Sequence, residues 1–437
     1  MKENKLSIIR LISNIVILIT SLLAMVLPYS LELFLGLSMI GLCGNIIYYV
    51  LCFKDKAKWE SLFTIILSII SIILVLVLLI TKILYLYYPI VIINLVLVSL
   101  YFALTFILIN KNNVRNKVLK NTLLGFGSII ILLIAVLSIV SHVGYQRTMF
   151  SSVVEVFLKS SNSGAFDSVE AADSYMEKRA LVNDNEYTLP KMSYQTDVNI
   201  DNMFSHQVIT YEGSKNNNGY IIYVHGGAYV NETSNYHVMF CDHLAKKTGY
   251  KVYAPIYPLA PNHTYEETYD LIEKIYLKLM DDNLPIIIMG DSAGGGFTAA
   301  FTEYLSVKGL KLPDKIVLLS PWVDVSMSNT EYDDYYDPML GVIGLKEMGE
   351  KWKGDLELND YQISPLFGDV SNMPKTLMFV GTREIFNPDV RLFYDKLVSN
   401  NIDVTLEIGE GMNHVYPIYP IFEARIALNE IAEFILS

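Results

Sequence analysis

Apolar and polar residues are arranged in two different ways along this chain. Up to about residue 145 the apolar positions fuse into five long runs, roughly 6–27, 31–53, 61–83, 90–110 and 122–143. Each is close to the length of about 20 residues that carries a helix across a hydrocarbon layer. From about 200 onward the apolar runs shorten and alternate with amphipathic stretches. Strand-like runs fall at 206–211, 220–224, 251–256, 286–289, 315–320, 376–380 and 404–408, with helical patterns at about 235–248, 264–281, 294–308, 388–400 and 419–435. Such alternation predicts an α/β fold, a mostly parallel sheet covered by helices on both faces.

Two segments stand outside the alternation. Residues 148–193 are helical in pattern, and 324–369 separates two strands and holds the acidic, aromatic run from Glu331 to Asp337. Both are expected to fold over the strand ends as a cap, with a solvated loop as the alternative for the acidic run. The expected organisation is a transmembrane region of about five helices over 1–145, linker and cap helices over 146–200, and a catalytic domain over 201–437 with its cap insertion at about 324–369.

Charge sharpens the division. Residues 1–150 carry twelve Lys/Arg and four Asp/Glu, and the remainder carries twenty-one and forty-one. An acidic second part is a poor partner for nucleic acid. Ten basic residues in the loops on one side of the five runs face three on the other, which predicts a cytoplasmic N-terminus and a catalytic domain outside the cell membrane. One miscounted run would reverse that orientation. The runs hold almost no ionisable groups, so an anchor is expected rather than a transport pathway. Asn14, Asn45 and Asn94 read as helix–helix hydrogen-bonding residues. Cys43, Cys52 and Cys241 suggest neither a disulfide framework nor a metal site.

The chemistry enters at IIIMGDSAGGGF, residues 286–297. An apolar strand runs into Gly290-Asp291-Ser292-Ala293-Gly294 and then into a small-residue helix start. That context exposes a serine hydroxyl on a tight strand-to-helix turn. Serine is a weak nucleophile until a base removes its proton and amides hold the oxyanion that its attack creates. His225-Gly226-Gly227-Ala228 follows another strand, and its backbone amides, from Gly226 and Gly227 or from Gly227 and Ala228, are expected to join that of Ala293 as oxyanion donors. His225 itself is expected to brace this loop. Of seven histidines, His414 sits in a glycine-rich turn after the last strand and is the expected base. Its acidic partner should follow the strand at 376–380, where Glu384 is the choice and Asp389, beside Pro388 at a helix start, the alternative. Ser292, His225, Glu384 and His414 all follow strands, where active sites of parallel sheets lie.

The order Ser292, acid, His414, together with HGGAYV, YPLAP, GDSAGGG, SPWVD, DPML, SPLFGD, VGTREI and GMNH, resembles the hormone-sensitive-lipase-like branch of the α/β-hydrolase family, which includes bacterial acetyl esterases. The resemblance covers more than half the chain. It implies a helical cap, hydrolysis of short or medium acyl esters by a Ser–His–acid triad, and no metal or cofactor. Ala228 stands where many members have a third glycine, and Glu384 where aspartate is commoner. The N-terminal region has no counterpart in soluble members, so the partners expected here are an ester of small-molecule, lipid or acylated-glycan type and the lipid bilayer. Two rivals remain open: a cell-envelope deacetylase or acyltransferase, and an inert hydrolase domain on a membrane receptor or transporter.

Overall fold

The short apolar runs become the centre of an eight-stranded sheet. Its strands are β1 (Asp197–Met203), β2 (His206–Glu212), β3 (Tyr220–Val224), β4 (Lys251–Pro255), β5 (Ile286–Asp291), β6 (Lys315–Leu319), β7 (Lys375–Arg383) and β8 (Val404–Asn413). Their order is β1-β2-β4-β3-β5-β6-β7-β8. β1 and β2 pair antiparallel, as do β2 and β4, and the remaining pairs are parallel. β3 and β5 are buried at every position, as strands covered on both faces must be. The order in which strands are added reverses between them: β3 connects outward to β4 on one side, and the strands from β5 on build the other. Such a switch point opens a crevice beyond the strand ends. The computed structural model describes residues 2–26, 31–52, 59–81, 90, 93–98, 138, 141–142, 144–161, 163–214 and 217–437.

The expected boundary at 200 needs one correction. β1 begins at Asp197, inside the segment read as linker and cap helices. It is an edge strand with one buried residue, Met203, and its DVNIDNM sequence has too few apolar positions to announce a strand.

The described residues form two compact units, Met1–Ser152 with Pro420–Phe422, and Val153–Tyr419 with Glu423–Ser437. In the first, the long apolar runs give α1 (Lys2–Val26), α2 (Leu31–Cys52) and α3 (Trp59–Thr81). Gly41 and Gly44 of α2 leave no room for a Cβ against Ser13 and Ile17 of α1, so small residues set this close packing. Asn14 donates to Asn45 (3.1 Å), Ser71 to Asn94 (2.7 Å), and Asn94 to Ser21 (3.1 Å), which is the helix-bridging role expected of these asparagines. Side chains are described for shorter stretches of these helices, and among the described residues no helix is long and apolar enough to cross a membrane. The fourth and fifth expected spans lie largely outside the described residues. The multi-pass reading therefore continues to rest on the sequence.

Further helices are α4 (Met149–Ser161), α5 (Val169–Ala180), α6 (Asn235–Thr248), α7 (Tyr265–Met280), α8 (Ser292–Val307), α9 (Val342–Trp352), α10 (Asn387–Ser399) and α11 (Phe422–Leu436). Ser234 caps α6, and Gly249, at φ 73°, ends it in the left-handed conformation. The two segments outside the alternation meet: α5 packs on α9, and Gly341 and Gly344 bring that helix start against Phe166. The acidic run does not float in solvent throughout. Tyr332 is buried, and its hydroxyl donates to Asp389.

Candidate active site

Ser292 begins α8 directly after β5, at φ 53°. A side chain in this left-handed region is strained, and its neighbours hold it there. A Cβ at Gly290 would collide with the Gly294 carbonyl, and one at Gly294 with the Val224 carbonyl. The glycines therefore let α8 start flush against β3 and β5, which leaves the serine hydroxyl at the crevice.

His414 follows β8, and its Nε2 lies 2.9 Å from Ser292 Oγ. Its Nδ1 lies 2.5 Å from Glu384 Oε2. A carboxylate only accepts, so Nδ1 carries the proton and Nε2 is left to take one from the serine. Glu384 is fully buried, and its other oxygen accepts from Ser320 Oγ (2.8 Å) and from the Gly381 amide. Ser320 Oγ in turn accepts from the Val415 amide (3.0 Å), tying the acid to the histidine turn. Burial opposes protonation of His414. The charge and hydrogen bond of Glu384, with the more distant Asp337 and Asp291, outweigh it and hold the imidazole above the ordinary histidine range.

Asp389 is brought elsewhere. Its carboxyl accepts from Asn329 Nδ2 (2.7 Å) and the Tyr332 hydroxyl, and burial pushes its pKa up to about 6. Sequence spacing left both acids open because they lie five residues apart after one strand. The chain's turn into α10 separates them.

The loop after β3 carries the candidate oxyanion donors. The Gly226 amide already donates to Asp291 Oδ1 (3.0 Å), which removes the pair Gly226 and Gly227 from the two alternatives. The amides of Gly227 and Ala228 remain. Ala293 is the second residue of α8, and amides in a first helical turn lack an intrahelical partner. Gly227 sits at φ 126°, which favours glycine, and its carbonyl accepts from the amides of Val230 (3.0 Å) and Asn231 (2.9 Å). His225 does not reach Ser292. Its Nδ1 bonds the Gly226 carbonyl (2.8 Å), its ring stacks on Tyr257 at 4.3 Å, and the Tyr257 hydroxyl donates to its carbonyl (2.7 Å). Burial, and then the neighbouring His237, lower its pKa to about 4, so it is neutral near pH 7.

A cavity of about 300 Å³ opens over Ser292 and His414. Leu158, Phe166, Met339 and Leu340 line it from the two cap segments, and Val415, Ile418 and Tyr419 from the turn after β8. Asn231, Ser234 and His237 supply a more polar wall, and among the described residues no lysine or arginine lines it. From the cap, Tyr175 donates to Asn231 Oδ1 (2.5 Å), whose Nδ2 donates to the Gly227 carbonyl (3.2 Å). Arg383, one residue before Glu384, makes a two-pronged ion pair with Glu155 of α4 at 2.8 Å on each arm. Among the described residues no group of three His, Cys, Asp or Glu is placed to hold a metal ion.

Comparison with known proteins accords with this geometry. The family described as alpha/beta hydrolase fold matches residues 221–418. An esterase of Acinetobacter venetianus is 31% identical over 225 residues, 50% of this chain and 74% of its own length. The chain belongs to the α/β-hydrolase family. Within it, an acetyl-hydrolase of Streptomyces hygroscopicus is 26% identical over 49% of this chain and 74% of its own. A triacylglycerol lipase of Mycobacterium tuberculosis is 30% identical over 37% of this chain and 34% of its own. Among solved structures, a Staphylococcus aureus protein assigned as an esterase aligns at TM-score 0.60 with 28% identity, covering 61% of this chain and 93% of that one. A hormone-sensitive lipase from a metagenome library aligns at 0.52 with 25% identity, covering 61% and 97%. The chain is a carboxylic ester hydrolase of this α/β-hydrolase family.

Three residues of this hydrolase site escaped the sequence. Ser320 lies in SPWVD, Asp291 inside the serine turn, and His237 at a helix start that reads as a capping position. Asp291 alone had a usable signal, since a carboxylate buried between two glycines of a tight turn needs partners.

Proposed function

We propose that the protein is a membrane-anchored serine carboxylesterase that hydrolyses short- or medium-chain acyl esters. The observation that carries the reading is the unbroken chain Ser292 Oγ–His414 Nε2 and His414 Nδ1–Glu384, closed over by a cavity. As the ester binds, His414 Nε2 takes the serine proton while Oγ attacks the carbonyl carbon. The resulting oxyanion is held by the amides of Gly227, Ala228 and Ala293. His414, now a cation stabilised by Glu384, passes the proton to the departing alcohol. Water, deprotonated by the same histidine, then attacks the acyl-enzyme and frees the acid and Ser292.

A mostly apolar lining, with no lysine or arginine among the described residues, favours an uncharged ester over one bearing phosphate or carboxylate near the scissile bond. A volume of about 300 Å³ is at the small end for ligand sites, which favours shorter acyl groups. Anchoring is supported by α1–α3, whose outward side chains are apolar, with Ile12, Ile19, Leu33, Ile40 and Ile73 at least half exposed, while Ser13, Asn14, Asn45 and Ser71 are buried. That is the inverse of a water-facing bundle. The charge asymmetry of the loops supports a catalytic domain outside the cell membrane.

Ser292→Ala should abolish turnover of a p-nitrophenyl ester and labelling by a fluorophosphonate. Unchanged turnover would overturn the assignment. Acyl transfer to a sugar in place of release to water would turn the reading toward the envelope acyltransferase.

A further inference from the structure

The candidate triad does not use the second histidine on the cavity wall. His237 lies in the first turn of α6, nearly buried, and lines the cavity with Ser292. Its Nδ1 accepts from the Ser234 amide at 2.9 Å, which places the ring proton on Nε2. Nε2 lies 3.1 Å from Asp291 Oδ2 and so donates to it. The other oxygen of Asp291 accepts from the Tyr223 hydroxyl (2.6 Å) and from the Gly226 amide (3.0 Å). Asp291 is thus a hub between the polar cavity wall, the strand below and the loop that carries the candidate oxyanion donors.

We propose that His237 and Asp291 are a positioning pair that sets the oxyanion loop, a role that rests on the serine-esterase reading above. The loop is built to fit this carboxylate: a Cβ at Gly226 would strike Asp291 Oδ2. By taking the Gly226 amide, Asp291 fixes the peptide immediately before the amides of Gly227 and Ala228. Since Asp291 also precedes Ser292 in the chain, one side chain holds the register between nucleophile and oxyanion donors. A bare carboxylate here would repel a developing oxyanion and would itself be costly to bury. Three donors spread its charge, Tyr223 and Gly226 from β3 and the loop after it and His237 from α6. Burial alone would push the Asp291 carboxyl up, yet His237, Tyr223 and Gly226 hold it below the ordinary carboxylate range. Neither residue is assigned the attack on the ester carbon or the uptake of the Ser292 proton, so both act through the loop.

The test uses the full-length protein in detergent, with His237→Phe, His237→Gln and Asp291→Asn. Measured are kcat and KM on a short p-nitrophenyl ester, affinity for a trifluoromethyl ketone that forms a tetrahedral adduct on serine, and thermal midpoint. Residues that orient metal ligands are worth roughly 10- to 100-fold, and an effect on that scale is taken for this pair. His237→Phe is expected to lose that much in kcat with KM nearly unchanged, and to lose affinity for the ketone in parallel. His237→Gln, whose amide can still donate to Asp291, should recover most of both. Asp291→Asn, which presents an amide donor to His237 or to Gly226, should lose kcat in the same way and decides the matter if His237→Phe does not fold. Retention of kcat and ketone affinity in Asp291→Asn, or in a folded His237→Phe, would overturn the proposal. So would a fall in thermal midpoint with catalysis intact. A wild-type protein that neither turns over ester nor labels at Ser292 would instead overturn the esterase reading itself, and the pair with it.

Discussion

At the scale of single residues, the hydroxyl, imidazole and carboxyl of the site are each weak reagents in water, and their surroundings change that. Glu384 is held by Ser320 and Gly381 so that only one oxygen faces His414. Glu384→Gln keeps the size but removes the charge that stabilises the imidazolium and favours one tautomer. A loss of kcat of about 10³- to 10⁴-fold is expected, as for triad acids elsewhere. Asp389→Asn, whose partners are Asn329 and Tyr332, should leave kcat within a few-fold while lowering the thermal midpoint. The pH profile follows from the same geometry. His414 acts as a base only when neutral, and its pKa is raised, so kcat/KM should fall as pH drops through a midpoint above the ordinary histidine value. In residual Glu384→Gln activity that midpoint should move down, because burial is then opposed only by the charges of Asp337 and Asp291. A midpoint that stays in place would mean that Glu384 does not set it.

Among the elements, α8 does more than present Ser292. Three turns on, Glu303 is buried, with Oε1 accepting from the Asp369 amide (2.5 Å) and Oε2 without a partner among the described residues. Here the cap insertion returns to the sheet, and Lys396 of α10 donates to the carbonyls of Leu366 (2.8 Å) and Gly368. Burial raises Glu303 to about 7, although the Asp369 amide and Lys396 favour its charge. The folded protein therefore keeps a proton there that the unfolded chain loses near the ordinary glutamate value. Where the folded state binds more protons, stability falls as pH rises, so this site weakens the fold between about pH 5 and 7 and no further above that. Glu303→Gln cannot titrate and should remove the slope. Relative to wild type it should gain on the order of 1–2 kcal/mol at pH 8 compared with pH 5, or roughly 2–6 °C in thermal midpoint. Thermal scans at the two pH values check this, and parallel curves would rule it out.

For the whole molecule, the consequence concerns where the chemistry takes place. If the N-terminal helices anchor the chain in a bilayer, the protein should stay with membranes through an alkaline carbonate wash and leave only with detergent. Protease added to intact cells should reach the catalytic domain. Release by carbonate would overturn the anchor, and a domain cut only after lysis would reverse the orientation while leaving the ester chemistry untouched.

Much of the site was legible because it is written in short-range patterns. A strand followed by Gly-x-Ser-x-Gly fixes a strained turn through its own backbone, and the order Ser292, acid, His414 follows from which strand ends the alternation exposes. The sequence by itself thus determined the fold class, the family resemblance and the tight turn that presents Ser292. Only the tertiary structure set Glu384, and not Asp389, against His414, since both follow β7 and just one is turned toward β8. It also withdrew the Gly226 amide from the oxyanion donors, added β1, and joined His237 to Asp291 across 54 positions of chain. The physical reason is the same in each case. Local sequence sets the conformation of a turn, whereas a hydrogen bond between distant residues exists only once packing has placed both partners and excluded the water that would otherwise satisfy them.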